Sequence, residues 1–539
     1  MPPLSALPTD PRVAPPARSA ALLLLVSWLL AVPAFAQPGP PPPANTPGTC
    51  PAGTTRVDIG SVSALQDASR GERAYADDPP NTCYFIANGT YSSGLTLPMY
   101  FLKGGSAPGA RYFVGATRQG VVIRGRSTVE GGIGNLVITN LTFDMTGYDQ
   151  GGSYSTLTIG AASNITVKDV TFTGDCVAGK NGGHIESDGV DGLTVDSVLV
   201  EKFGRCGTFS GHQDHGIYIS YGSNITIRNS IIRGNSSRGI QMYTAGAPIT
   251  GVTIQGNWIY QNGHADYEDG IVISGDTAIT NLLIERNLIY KNYYSGIRFV
   301  GSPMSGVSIV QNTFDSNGAG STSSSRSEVN LDASGSGAGT TFWRNIFNAG
   351  NRLINNCYDS AGRGFSINDN VLNGSGAGNC VGTVIQANPQ FVDAANGDYH
   401  TQNPDVRAYG AYADDGSDFF TLTPCRAFDT RDPRGPTLGA PIRCGTDRSL
   451  TIVGGTCGVP ASAKAVSLNL TATAPTAQGN LRVFPAGLPA PLASTLNYAA
   501  GQTRANSAVA RLGVDNQIAI RCMPSGTTHV IVDVNGYFQ

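Results

Sequence analysis

Histidine is scarce in this chain, yet four of the six, His184, His212, His215 and His264, fall within an 81-residue stretch. Around them a short phrase recurs: Gly216-Ile217-Tyr218-Ile219, Gly239-Ile240-Gln241-Met242, Gly270-Ile271-Val272-Ile273 and Gly296-Ile297-Arg298-Phe299. Two residues before the isoleucine the phrase carries His215, Arg238 and Asp269. One residue after it, and after Ile185 upstream, stand Glu186, Tyr218, Gln241, Val272 and Arg298. Side chains alternate across a strand, so with the flanking apolar residues turned inward these must project outward. Stacked one strand apart, a His, a Tyr, two Arg and carboxylates would meet within roughly 5 to 10 Å. That set suits removal of a proton beside the carboxylate of a uronic acid. A cation or amide neutralises the carboxylate, a base takes the C5 proton, and an acid protonates the leaving oxygen or returns a proton to the other face. Arg238 and Arg298 fit neutralisation, His215 the base and Tyr218 the acid. Glu186, His212, Gln241, His264, Asp269 and Arg298 would contact the substrate. The structural alternative is a row of solvated polar residues, with His215 filling a loop.

Other chemistries are less well supplied. His212, His215 and His264 match no recognised zinc spacing. Asp266 and Glu268, with Asp269, offer oxygen ligands of the kind Ca²⁺ takes, against the plainer reading of a hydrated acidic loop. Glu268 with Asp269 keeps hydrolysis by two carboxylates as a weaker option. Charged residues make up 14% of the chain, the net charge is −3 and the pI near 6.1, which leaves no basic footprint for nucleic acid.

The elements that must position these residues are written as a repeat. Taking Ile227 as anchor, the same position recurs at Ile138, Val167, Val195, Ile254, Ile284, Ile309, Phe342 and Ile367, in steps of 25 to 33 residues. A period of that size signals a solenoid, whose unit cannot bury its apolar face until the next stacks on it. Apolar segments of three to five residues alternate in period two and are split by Gly, Asn and Ser. They are too short for strand-helix-strand crossovers, so the unit is a coil of short strands in a parallel β-helix. Three residues past the anchor stand Asn257, Asn287, Asn312, Asn345 and Asn370. Eight past it stand Asn235, Asn262, Asn292 and Asn317. An amide repeated at one corner stacks on itself at roughly 4.8 Å and can bond along the column. The sequons at Asn164 and Asn224 fall inside the repeat and are read as structural.

On these phrases, residues 83–410 resemble the right-handed parallel β-helix repeat proteins of the pectin-lyase-like superfamily. Cys83-Tyr84-Phe85-Ile86-Ala87-Asn88-Gly89-Thr90-Tyr91 is similar to the strand that opens such helices. Asn388-Pro389-Gln390-Phe391-Val392-Asp393 with Gly397-Asp398-Tyr399 is similar to the phrase that closes them. The resemblance implies right-handedness, and an extended polymer held in a groove walled by the long loops after Val200 and Ile259. Asp214-His215-Gly216-Ile217-Tyr218 is loosely similar to the Asp-Pro-His-Asp motif of alginate C5-epimerases, without its Pro and second Asp. The paired-Asp and Gly-His-Gly signatures of the polygalacturonase relatives are absent.

Residues 1–36 read as a secretory signal, with Arg12 and Arg18, an apolar run over residues 20–32 and Ala34-Phe35-Ala36 at the cleavage site. Residues 37–49 form a proline-rich tether. The β-helix then spans 50–410, opened by a capping helix over residues 61–74 that covers the first coil's open edges. A hinge at 411–418 leads to an all-β accessory domain at 419–539, expected to be a β-sandwich. Its phrases Thr423-Pro424-Cys425-Arg426, Asp429-Thr430-Arg431 and Asp533-Val534-Asn535-Gly536-Tyr537-Phe538 resemble a C-terminal module of bacterial exported proteins, which implies a role in attachment, carbohydrate binding or stability. Ten cysteines in an exported chain imply disulfides. One-coil spacing pairs Cys50 with Cys83, Cys176 with Cys206 and Cys357 with Cys380. Cys425 with Cys457 and Cys444 with Cys522 complete the set. The expectation is thus an all-β, secreted, monomeric protein, free of the membrane once its signal is removed. It acts as a lyase or C5-epimerase on an acidic polysaccharide, with Ca²⁺ as a candidate cofactor. The rival is a non-catalytic surface, matrix or glycan-binding protein.

Overall fold

The computed structural model describes residues 45–538 apart from 94–97, 106–108, 148–154, 177–184, 206–213, 245, 333–336, 338, 358–363, 379–380, 414–418, 436–438, 462, 488–489 and 514–515. The expected signal segment, most of the tether and of the hinge, and His184, His212, Cys206 and Cys380 lie outside the described residues.

Thirty-one strands join into one continuous parallel sheet wound as a solenoid. Most coils contribute three short strands, the first two merging in Ile185–Asp196 and Ile217–Arg228, and they pair in parallel from one coil to the next. The anchor column is a single line of register: Ile138, Val167, Val195, Ile227, Ile254, Ile284, Ile309, Phe342 and Ile367 are successive partners. All nine are at most 1% exposed and belong to one apolar core running the length of the solenoid.

Both asparagine columns are hydrogen-bonded ladders with a direction. The backbone N–H and the side-chain amide of each Asn donate to the Oδ1 of the Asn one coil on, from Asn257 through Asn287, Asn312 and Asn345 to Asn370. The second ladder runs from Asn235 through Asn262 and Asn292 to Asn317. There the pattern changes residue type. Asn317 donates from its backbone N–H at 3.1 Å and from its amide to the buried carboxylate of Glu328. A column of donors facing one way must end on an acceptor, and a carboxylate takes both bonds.

The opening helix is shorter than expected. It spans Val62–Arg70, capped by the Ser61 hydroxyl, and stops because Gly71 adopts the left-handed conformation (φ 67°) that ends helices. Leu65 and Ala68 enter the same core as Ile86 and Tyr91, and the Ser69 hydroxyl accepts from the Tyr100 backbone N–H. The closing phrase folds as an antiparallel pair, Phe391–Asp393 with Asp398–Thr401. The chain then lies back along the solenoid. Tyr399 donates to Asp315 at 2.9 Å, Gly410 N–H to Arg344 O, and Ala411 N–H to Thr313 Oγ1 at 2.9 Å. Tyr399 also packs with Leu288 and Tyr290, and Tyr290 stacks on Tyr260 at 4.6 Å.

The strands after Phe419 are antiparallel. One sheet orders Phe419–Asp429, Thr527–Phe538, Ala465–Thr473 and Arg504–Arg511; a second orders Asp447–Thr451, Gln517–Met523, Gly479–Pro485 and Leu496–Tyr498. They share a core that includes Leu468, Leu470, Val532 and Val534 with Leu481, Ile518 and Ile520. The disulfides Cys50–Cys83, Cys425–Cys457 and Cys444–Cys522 form as expected. Cys176 and Cys357 are also disulfide-bonded. Among the described residues no helix is long and apolar enough to cross a membrane.

Candidate functional site

Glycine before each isoleucine is a packing requirement. A Cβ on Gly216, Gly239 or Gly270 would sit 2.5 to 2.7 Å from the carbonyl oxygen of the next glycine in the column, and 2.7 to 3.0 Å from an Asn ladder amide. The strands that follow are therefore stacked in strict register. Thr158, Glu186, Tyr218, Gln241, Val272, Arg298 and Asn330 are consecutive partners. Their neighbours Ile217, Ile219, Ile240, Met242, Ile271, Ile273, Ile297 and Phe299 are buried in the core, which directs the row outward.

At one end of the row Glu186 accepts from the Ser155 hydroxyl at 2.7 Å. Tyr218 is half-buried and stacks on His215, ring centroids 5.4 Å apart. Burial raises the Tyr218 phenol above its ordinary value, and the charges of Glu186 and Asp188 add to this against a hydrogen bond with Ser220. Tyr218 therefore holds its proton near neutral pH. His215 is only 6% exposed, so most of its ring is covered where the sequence reading placed an accessible base.

At the other end two guanidinium groups share one carbonyl. Arg238 donates to Gln241 Oε1 and, from Nε at 3.4 Å, to Tyr267 O; Arg298 Nη2 reaches the same oxygen at 3.1 Å. Arg298 Nε also pairs with the fully buried Asp269 at 2.9 Å. Burial pulls the Arg298 guanidinium down, but the charge and hydrogen bond of Asp269 leave it above its ordinary value. Burial first, and then repulsion from Arg298, lower Arg238 to about 10, against the pull of Asp269 and Glu268.

The loop over residues 263–269 sets this geometry. Glu268 is wholly buried and accepts from the backbone N–H of His264 at 2.7 Å and of Ala265 at 2.8 Å. Tightening around that carboxylate leaves Tyr267 in the left-handed region (φ 70°), 50% exposed, its carbonyl turned to the two arginines. The Tyr267 ring lies 5.3 Å from the Arg298 guanidinium and 5.0 Å from Tyr294. His264 is held by Ser236 O and by Glu268 at 3.2 Å, in the corner of the coil.

The candidate metal ligands diverge: Asp266 takes the Ser321 hydroxyl, Glu268 its own loop and Asp269 Arg298. This donor set does not fit Ca²⁺, and among the described residues no group of three His, Cys, Asp or Glu could hold a metal ion. Asp214 is likewise committed, forming a two-pronged pair with Arg205 at 2.8 and 2.9 Å. Sequence reasoning missed Tyr267 and Tyr243, both exposed beside the row. Tyr243 was within reach, since it stands two residues past Gln241 and shares its outward parity.

A family model described as a right-handed beta helix region matches residues 112–280. No curated protein sequence matches the chain. Among solved structures, the A-module of the mannuronan C-5 epimerase AlgE6 of Azotobacter vinelandii aligns at 16% identity and TM-score 0.36, over 61% of this chain and 96% of that one. An alginate lyase from Paenibacillus sp. str. FPU-7 aligns at 16% identity and TM-score 0.31, over 62% and 98%. The family 28 exopolygalacturonase of Yersinia enterocolitica aligns at 14% identity and TM-score 0.36, over 62% and 76%. The described residues of the matched segment lie within the coil-on-coil register, and the fold of the chain from Thr55 to Gln386 is a right-handed parallel β-helix.

Proposed function

We propose that this is an exported carbohydrate-active protein that binds an acidic polysaccharide along the row from Glu186 to Arg298 and acts on it as a lyase or C5-epimerase. The observation that carries this reading is the register of Glu186, Tyr218, Gln241 and Arg298 with Arg238 bound to Gln241. It sets a cation, an amide and a protonated phenol on one face. Arg238 meets the uronate carboxylate and drains charge from it, which acidifies the C5 proton. His215 takes that proton, and Tyr218, which burial keeps protonated near neutral pH, protonates the departing glycosidic oxygen or the opposite face of C5. Tyr243 and Tyr267 offer exposed rings for sugar faces. The described disulfides suit an oxidising, extracellular setting.

A second reading, a non-catalytic glycan-binding face, is favoured by the near-complete burial of His215 and by the neutralisation of Arg298 by Asp269. One experiment separates the two. The mature chain is incubated with alginate, pectate, hyaluronan and chondroitin while the ultraviolet absorbance of a C4–C5 double bond is followed and proton NMR reports epimerisation. Turnover lost in Tyr218→Phe and Arg238→Gln supports the enzyme. Unchanged polymers, with retention in an alginate or pectate gel that Arg238→Gln abolishes, leave the binding reading in place.

A further inference from the structure

The antiparallel sheets hold a cleft of their own. Their central strand, Thr527–Phe538, falls out of step with both neighbours at Asn535. Ser467 pairs with Gly536 and Leu468 with Val534, so Asn535 has no counterpart on that side; Thr421 pairs with Gly536 and Cys425 with Val534, so it faces three residues on the other. Bulges of this kind re-aim side chains and recur beside binding sites. Next to the bulge, Asp533 is the register partner of both Arg426 and Asn469. The alternate residues Leu468, Leu470, Val532 and Val534 are buried in the core, so the three polar side chains stand together on the outer face. They border a cleft of about 530 Å³, within the range of small-ligand sites, whose remaining lining comes from Pro424, Val534, Asn535 and the disulfide-bonded Cys425.

The chemistry of the lining narrows the ligand. Arg426 donates through Nε at 2.8 Å and Nη2 at 3.3 Å to Asp533, and through Nη1 at 3.2 Å to Asp429. Its charge is matched, so the cleft offers no net cation to an acidic ligand. Asp533 oxygens have lone pairs left for hydroxyl donors, and the amides of Asn469 and Asn535 both donate and accept. Adjacent hydroxyl groups, each donor and acceptor at once, satisfy that combination, while Pro424 and Cys425 suit the C–H face of a ring. We propose that this cleft is a binding site for a neutral hexose residue of a glycan, separate from the acidic-polysaccharide row.

The test uses the full mature chain and the methyl glycosides of glucose, galactose, mannose and N-acetylglucosamine, observed by saturation-transfer difference NMR. Transfer to at least one is expected. Asn469→Ala, which keeps the Arg426–Asp533 pair, should weaken it at least tenfold, and so should Asp533→Asn where its circular dichroism is unchanged. Asn469→Ala should leave any turnover of acidic polysaccharide intact. Absence of transfer from all four glycosides, or transfer that Asn469→Ala leaves undiminished, overturns the assignment.

Discussion

Replacing Asn312 with Asp changes one nitrogen to oxygen and tests the direction of the asparagine ladder. Asn312 Oδ1 accepts from the backbone N–H and the amide of Asn287, both at 2.9 Å, while its own amide donates to Ile284 O at 2.8 Å, Val310 O at 3.1 Å and Asn345 Oδ1 at 3.0 Å. The backbone bond fixes which end of the amide is oxygen. In Asn312→Ala all five bonds vanish and the buried N–H of Asn287 loses its acceptor. At about 1 kcal/mol net per bond, plus about 1 to 3 kcal/mol for an orphaned donor, the loss is roughly 6 to 8 kcal/mol. In Asn312→Asp the acceptor side survives, but the second oxygen faces three acceptors and must carry a proton. Its folded-state pKa is then raised above the unfolded value of about 3.9. Stability is fully present below that value and falls as pH rises towards the folded pKa, at about 1.4 kcal/mol per pH unit. Urea unfolding followed by far-ultraviolet circular dichroism at pH 4, 6 and 8 gives the comparison. The gap between wild type and Asn312→Asp should be small at pH 4 and widen by pH 6, whereas the gap to Asn312→Ala should hardly move. A constant Asn312→Asp gap across this range would refute the assigned ladder.

Three further outcomes are expected. Burial raises the carboxyl of Glu328 well above its ordinary range, against hydrogen bonds from Asn317, so the wild type should lose stability as pH rises from about 4.3. Glu328→Gln should flatten that dependence in thermal melts at pH 5, 7 and 9. Gly239→Ala places a methyl 2.7 Å from Gly270 O and 2.9 Å from the Asn262 amide and Ile259; none of these is a flexible tip, and a loss of about 2 kcal/mol or more is expected in the same unfolding assay. Because Arg238 is lowered to about 10, retention of the chain in an alginate or pectate gel should persist to pH 9 and weaken as pH passes about 10, while Arg238→Gln should lose it already at pH 7.

Most of the fold was legible because one rule repeats. Period-two alternation with a constant anchor sets which residues face inward, and coil-on-coil pairing sets register. Both asparagine ladders and the row from Glu186 to Arg298 followed from those two facts. What escaped depends on contacts off the repeat. Glu328 ends a ladder of Asn, and a search for repeated residues passes over the one that stops the pattern. Glu268 looked like a solvent-facing acid, yet its loop closes on it, because two backbone N–H groups need an acceptor there. His215 stands two residues before the inward-facing Ile217 and so shares its parity, and with the Tyr218 ring stacked on it the side chain is covered where an outward-facing base was expected. The opening helix was drawn too long because apolar spacing continues past Gly71, whose backbone turns away.

The returning segment after Tyr399 alters how the protein bears load. If the strands beyond Phe419 are tethered to a surface or polymer, tension does not reach the last coil first. It arrives through Ala411 and Gly410 at Thr313 and Arg344, on the flank of the solenoid. A force applied at a free end would open one strand at a time like a zipper. Applied on the flank, it is shared among the Tyr399–Asp315 bond, the stacked tyrosines and several strand pairings that must slip together. The closing phrase is thereby a strain relief, which lets the chain be pulled from one end without unwinding from that end.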